Sequence, residues 1–213
     1  MKAHSLYVAL ACRGVWLGRS LALAFALVLI LAAPAEAQLP TAQLTSVFPP
    51  GGQQGTQVEV TLAGADLDDL ERLVFNHPGL AARPKLTPAT ELMPARPVPN
   101  QFVVAISRDV PLGIYEVRAL GRFGLSNPRS FAVGTVPERL ESGDNNSPAK
   151  AVELALPVTV NGRVEAANYD FFRLKLKAGE RILAQVTAQR IDSRLDSTLV
   201  VLDATGRELK RAK

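Results

Sequence analysis

Residues 49–64 read Pro49-Pro50-Gly51-Gly52-Gln53-Gln54-Gly55-Thr56-Gln57-Val58-Glu59-Val60-Thr61-Leu62-Ala63-Gly64, and the second half of this stretch decides the fold. Val58, Val60 and Leu62 alternate with Gln57, Glu59 and Thr61. A period of two places one set of side chains in a core and the other in water, which is the pattern of a half-buried strand. The Pro-Pro-Gly-Gly ahead of it reads as a turn that ends an apolar piece at Val47-Phe48, and Gly64 is expected to break the strand.

The same pattern recurs on the C-terminal side. An acidic surface turn at 66–71 leads into a short strand, Arg72–Phe75. Phe102, Val104 and Ile106 mark one face of a strand over 101–106, and Tyr115, Val117 and Ala119 alternate with Glu116 and Arg118 over 114–120. A last strand covers 130–133. Asn76-His77-Pro78-Gly79, Asp109-Val110-Pro111-Leu112-Gly113 and Gly124-Leu125-Ser126-Asn127-Pro128 are turns by composition. Between 80 and 100, prolines at 84, 88, 94, 97 and 99 each remove a backbone donor and fix φ, which predicts a long, partly extended loop. Short strands joined by Gly/Pro turns with no helical period indicate a β-sandwich of roughly 90 residues.

Three motifs here occur together and in order: P-P-G-G-x-x-G-T-x-V-x-V-x-L-x-G at 49–64, P-x-G-x-Y-x-V at 111–117, and S-N-P-x-x-F-x-V at 126–133. In them, residues 41–135 resemble the IPT/TIG immunoglobulin-like domain. That resemblance implies an extracellular spacer or interaction module whose partner contacts carry no common motif.

The polar stretch 138–151, E-R-L-E-S-G-D-N-N-S-P-A-K-A, separates this part from a second series of strands, so 136–150 is expected to be a linker. Beyond it, 158–164 reads as a strand. In 171–176, Phe172, Leu174 and Leu176 form the expected inward set, with Arg173, Lys175 and Lys177 in solvent. Residues 182–188 alternate again, and Leu199-Val200-Val201-Leu202 is apolar enough to be buried on both faces. Asp203-Ala204-Thr205-Gly206 is expected to turn a hairpin.

Residues 151–213, with Asn145-Asn146-Ser147-Pro148 ahead of them, resemble the first part of the bacterial pre-peptidase C-terminal domain. The residues carrying the likeness are Ala151, Leu156-Pro157-Val158 with Gly162, Asp170-Phe171-Phe172-Arg173, Lys177-Ala178-Gly179-Glu180, and Leu195-Asp196 followed by Leu199, Asp203 and Gly206. The expected architecture is therefore all-β: two β-sandwich modules, one immunoglobulin-like and one incomplete and jelly-roll-like, after an N-terminal signal helix. An incomplete second sandwich would leave 199–202 beside an open sheet edge. The expectation is that the chain is a fragment of a longer protein or that another segment completes the sheet.

Residues 1–37 carry Lys2, Arg13 and Arg19, a 13-residue apolar run at 21–33, and Ala35-Glu36-Ala37. This is the layout of a secretory signal cleaved after Ala37. The run is shorter than the roughly 20 residues a membrane-spanning helix needs, so contact with a membrane is expected only through the uncleaved signal. Removing the signal takes three of 24 basic and one of 20 acidic residues, and the formal net charge falls from +4 to +2. Charges of both signs are interspersed, so no nucleic-acid partner is expected. Cys12 leaves with the signal, which suits an oxidising compartment and excludes disulfides and thiolate chemistry from the exported chain.

Catalytic patterns are weak. His77 is the one histidine after the signal, and it lies in a Pro-Gly turn without a nucleophile context. Ser147-Pro148-Ala149-Lys150 matches S-x-x-K without the companion motifs of serine-lysine enzymes. Calcium takes six to eight oxygen ligands, and the joint offers Glu141, Asp144, Asn145 and Asn146 within six residues. The pre-peptidase resemblance adds Asp170, from the turn Asn168-Tyr169-Asp170-Phe171-Phe172. Asn168 stands where that family usually has Asp, and Gly143 where it usually has Glu. Two readings of the joint stand beside each other: a calcium site weakened by lost charge, or an Asx-rich turn whose side chains cap backbone groups.

The expected function is that of an exported, non-catalytic binding or spacer protein of the periplasm, cell surface or medium, with a protein or polysaccharide partner and no cofactor beyond Ca²⁺. The alternative is the non-catalytic N-terminal part of a larger secreted hydrolase, a peptidase.

Overall fold

The computed structural model describes residues 39–163 and 168–213, so the expected signal helix lies outside the described residues. The strands of the first half are β1 (Gln43–Phe48), β2 (Gly51–Gln53), β3 (Gln57–Ala65), β4 (Arg72–Phe75), β5 (Leu80–Leu86), β6 (Pro97–Ile106), β7 (Gly113–Gly121), β8 (Gly124–Leu125) and β9 (Arg129–Gly134). They form two sheets, one in the order β1-β3-β6-β5 and the other in the order β2-β9-β7-β4, with β8 paired to β7. All pairs are antiparallel except β2 with β9.

The alternation expected from sequence is what fills the space between the sheets. Val60, Leu62, Phe102, Val104 and Ile106 from one sheet meet Leu73, Val117, Ala119, Phe131 and Val133 from the other in a single buried cluster. Phe75 meets the Phe131 ring edge-on at 5.5 Å, a geometry that aromatic quadrupoles favour. The Tyr115 hydroxyl, near the start of β7, donates to the carbonyl of Pro111 at 2.6 Å and pins the corner that enters the strand.

Polar side chains join the two sheets. The Ser126 hydroxyl, buried, accepts from Ala119 N at 2.9 Å and donates to Asn127 O at 2.8 Å. The Asn127 carboxamide then holds both backbone groups of Leu44 in the opposite sheet, accepting from its N–H at 2.7 Å and donating to its carbonyl at 3.0 Å.

Three readings of the first half need correction. Gly64 does not end the strand: β3 runs to Ala65, and Gly64 lies so close to the Gln43 carbonyl of β1 that a Cβ would collide with it. Gly51-Gly52 is not only a turn, because it pairs as β2 with β9, and a Cβ at Gly51 would strike the Ala132 carbonyl. The proline-rich segment is not one loop. Pro84 sits in β5, which has β6 on one side only, so its missing N–H costs no ladder bond at the sheet edge. Pro97 and Pro99 occupy the end of β6 that extends past its β3 partner at Gln101.

The second half is thinner. It comprises β10 (Glu138–Leu140), β11 (Val152–Leu154), β12 (Thr159–Asn161), β13 (Phe172–Leu174), β14 (Leu199–Leu202) and β15 (Glu208–Ala212), with 3-10 turns at Pro148–Lys150 and Gln189–Ile191. They pair only in twos: β10 with β12 and β11 with β13, both parallel, and β14 with β15, antiparallel. The expected β14–β15 turn is present, its Asp203 Oδ1 accepting from Thr205 N at 2.9 Å and from Arg207 N at 3.0 Å.

The described chain is thus all-β, a sandwich followed by short ladders, and none of its helices is long and apolar enough to cross a membrane. The segment expected as a linker contributes β10. Residues 182–188 form no strand, and Leu183 is 92% exposed there, because alternation alone does not make a strand without a neighbour to pair with. Phe172 and Leu176 of the expected inward set are exposed, as are Val201 and Leu202 of the segment expected to be buried on both faces, since β14 has a single partner.

Three outcomes follow from these contacts. Asn127→Ala is expected to lower stability by about 1–3 kcal/mol in urea unfolding, because it strands the Leu44 backbone groups. Gly64→Ala is expected to cost about 1–3 kcal/mol by forcing β1 from β3. Gly113→Ala, with open space around its Cβ position, is expected to be neutral or stabilising by about 0.4–1 kcal/mol.

Candidate functional site

The polar stretch after β9 is positioned by two small ladders. β10 lies beside β12, and Glu141 N continues that pairing by donating to Asn161 O at 2.9 Å. Four residues on, Asn145 O accepts from Phe171 N at 2.8 Å, which ties the same stretch to the approach of β13. A cleft of about 470 Å³ opens between them, lined by Glu141, Gly143, Asp144, Asn145, Asn146, Asn161, Gly162, Arg163, Asn168 and Asp170, with Phe48 from the end of β1. All five residues expected as metal ligands, Glu141, Asp144, Asn145, Asn146 and Asp170, therefore share one cleft.

Their side chains are largely engaged with one another. Asn145 is only 4% exposed, and its Nδ2 donates to Glu141 Oε1 at 2.8 Å. Lys150 Nζ pairs with Asp144 Oδ2. Gly162 lies against the Glu141 carboxylate, where a Cβ would collide with Oε2. At the base of the β10–β12 ladder, Asn161 Nδ2 donates to Glu138 Oε2 at 2.7 Å. Burial raises the Glu138 carboxyl above its ordinary value of 4.5, and the Asn161 hydrogen bond offsets part of that rise.

Among the described residues no three His, Cys, Asp or Glu side chains gather in a way that could hold a metal ion. The five expected ligands line one cleft, and the carboxylates of Glu141 and Asp144 also bond within the joint itself. The Asx-rich reading has side chains capping backbone groups, whereas the bonds described at the joint run between side chains: Asn145 to Glu141, Lys150 to Asp144 and Asn161 to Glu138.

Sequence reasoning missed the other wall. The Arg163 guanidinium carbon stands 4.3 Å from the centroid of the Phe48 ring, a cation–π contact between the second half of the chain and the first sandwich. Neither residue carries a motif, and only the fold brings them together. Asn161 and Gly162 fall in the segment read as a strand over 158–164, of which β12 covers Thr159–Asn161, and nothing local signals the contact of Gly162 with Glu141.

The remaining candidates occupy structural positions. His77 Nδ1 accepts from Gly79 N at 3.0 Å, and its ring meets Tyr115 edge-on at 5.2 Å. Ser147 precedes the Pro148–Lys150 turn, and the Lys150 ammonium is turned to Asp144 rather than to the serine hydroxyl. Residues 66–69 form a turn whose Asp68 carbonyl accepts from Arg122 N at 3.2 Å, while Leu67 inserts into the core. No protein-family model matches the chain, and a search of curated proteins returns no match.

Glu138 gives a pH test of the joint. Its raised folded value means that the folded state keeps a proton which the unfolded chain has released. Its contribution is fully present below pH 4.5 and is lost as pH rises through the raised value. Glu138→Gln retains an acceptor for Asn161 without the buried charge. The melting temperature of the variant relative to the parent is expected to climb between pH 4.5 and 7, and a difference that stays constant with pH would remove burial as the cause.

Proposed function

We propose that the chain is an exported, non-catalytic β protein that acts by binding, or as a spacer, at the cell surface or in the periplasm, and that the cleft at the joint is its binding surface. The observation that carries this reading is the composition of the cleft walls. Carboxylates and carboxamides from the 141–146 segment face Asn161, Arg163, Asn168 and Asp170, and Phe48 reaches in from the first sandwich. Polar groups that can both donate and accept, beside one aromatic ring, suit a hydrogen-bonding ligand held at a surface. The Tyr115 corner and the two-sheet core support the immunoglobulin-like reading of 41–135, since sandwiches of that type pin a strand corner with a tyrosine hydroxyl. The 1–37 pattern supports export.

Ca²⁺ is the first ligand to test, because seven oxygen-bearing side chains line the cleft; a neutral cell-surface polysaccharide is the second. Four of the lining residues are asparagines, so their side-chain amide signals are direct reporters in ¹H–¹⁵N NMR. Titration of the chain from Gln38 with either ligand is expected to shift the signals of Asn145, Asn146, Asn161 and Asn168 ahead of those elsewhere. Shifts confined to other surfaces would move the binding site, and no shift with either would overturn the cleft as the binding surface.

A further inference from the structure

The second half of the chain buries almost nothing of its own. Among the described residues after Val133, Ala188 is the one buried apolar side chain. It opens the 3-10 turn Gln189–Ile191, and that turn packs against β9 of the first sandwich. Immediately after the turn, Asp192 adopts a left-handed backbone, φ 61°, a conformation that Asn, Asp and Gly tolerate better than other residues. Its carboxylate Oδ2 accepts from the backbone N–H of Ser130 at 2.7 Å, and its carbonyl accepts from Arg129 Nη2 at 2.9 Å. Arg129 Nε lies 3.9 Å from the same carboxylate.

The place of this contact on the sheet explains why a carboxylate fits there. β2 covers one flank of β9 only from Ala132 to Gly134. The start of β9 extends past β2, so the Ser130 N–H is an edge donor that no strand takes. An unpaired edge donor invites pairing by another chain, and a carboxylate meets it with a charge-assisted bond. The same side chain therefore protects an edge and fastens one half of the chain to the other. The Arg163–Phe48 contact makes a second fastening, at the joint.

We propose that Asp192 is a clasp that locks the second half of the chain onto the exposed start of β9, so that residues 40–213 behave as one rigid body instead of two modules on a flexible linker. Its functional meaning rests on the binding or spacer reading: a clasped chain holds the Phe48 wall and the Arg163 wall of the cleft at a fixed separation. The clasp itself is tested without any ligand.

The chain from Gln38 contains no cysteine, and Pro40–Lys213 forms one compact unit, so spin labels can be placed freely on it. Labels at Thr61→Cys and Arg181→Cys report the distance between the halves by double electron–electron resonance. The parent and Asp192→Asn, which keeps an acceptor oxygen and tolerance of the left-handed backbone, are expected to give one narrow distribution. Asp192→Gly keeps the backbone freedom but loses the acceptor, and its distribution is expected to widen roughly two-fold or more, as for modules without a large shared interface. A second pair inside the second half, Arg181→Cys with Lys210→Cys, is expected to keep its width in all three. Equal widths for the first pair in the parent and Asp192→Gly would overturn the clasp. Widening of the second pair in Asp192→Gly would also overturn it, because Asp192 would then maintain the fold of the second half and not its seat on β9.

Discussion

One carboxamide, that of Asn127, decides how the two sheets of the sandwich meet. β1 is an edge strand, and it bulges between Leu44 and Ser46. The Leu44 N–H and carbonyl therefore need partners outside the ladder, and Asn127 supplies both from the opposite sheet. Ser126, held by Ala119 N and Asn127 O, fixes the loop that carries it. With β1 fixed in this way, Gly64 can lie against Gln43, and Leu44 and Val47 close the core over Phe131 and Val133. Apolar burial supplies most of the stability of such a core; the hydrogen bonds choose which of several apolar packings is adopted.

The second half follows another logic. Its strands are three to five residues long and its apolar side chains are mostly exposed. Its ion pairs, among them Lys175 with Glu153 at 2.7 Å, Arg211 with Glu208 at 2.6 Å and Lys213 with Asp196 at 2.8 Å, lie at the surface, where each contributes little. Two-stranded ladders of this length are marginal in isolation. The sandwich is therefore the rigid reference against which the ladders are placed, through β10 and through the contacts to β9 and Phe48.

What the sequence discloses follows from whether a feature is local. Alternation at 57–62, 101–106 and 114–120 is local, and it yields the core residues correctly. Ser126-Asn127-Pro128 is visible as a turn, although its role as a bond between sheets is not. Edge position is a property of the whole sheet, so nothing within 80–100 tells that Pro84 would sit where its missing N–H is harmless. The alternation at 182–188 fails for the same reason in reverse: the pattern is present and a partner strand is not. At the cleft, short-range clustering of Glu141, Asp144, Asn145 and Asn146 was legible, while Phe48 and Arg163 come from opposite sides of the joint and have no sequence signal linking them.

The joint and the cleft are the same residues, and this constrains what the cleft can do. Glu138 is bonded by Asn161, Glu141 by Asn145, and Asp144 by Lys150. A ligand on Asp144 Oδ2 competes with the Lys150 ammonium, and one on Glu141 Oε1 competes with the amide of a side chain that is almost wholly buried. Binding to these carboxylates is therefore coupled to the geometry of the 148–150 turn and the β10–β12 ladder. A ligand that instead uses the Asn146 and Asn168 carboxamides and the Phe48–Arg163 wall leaves those bonds intact. The second route conserves the hydrogen bonds that position the cleft.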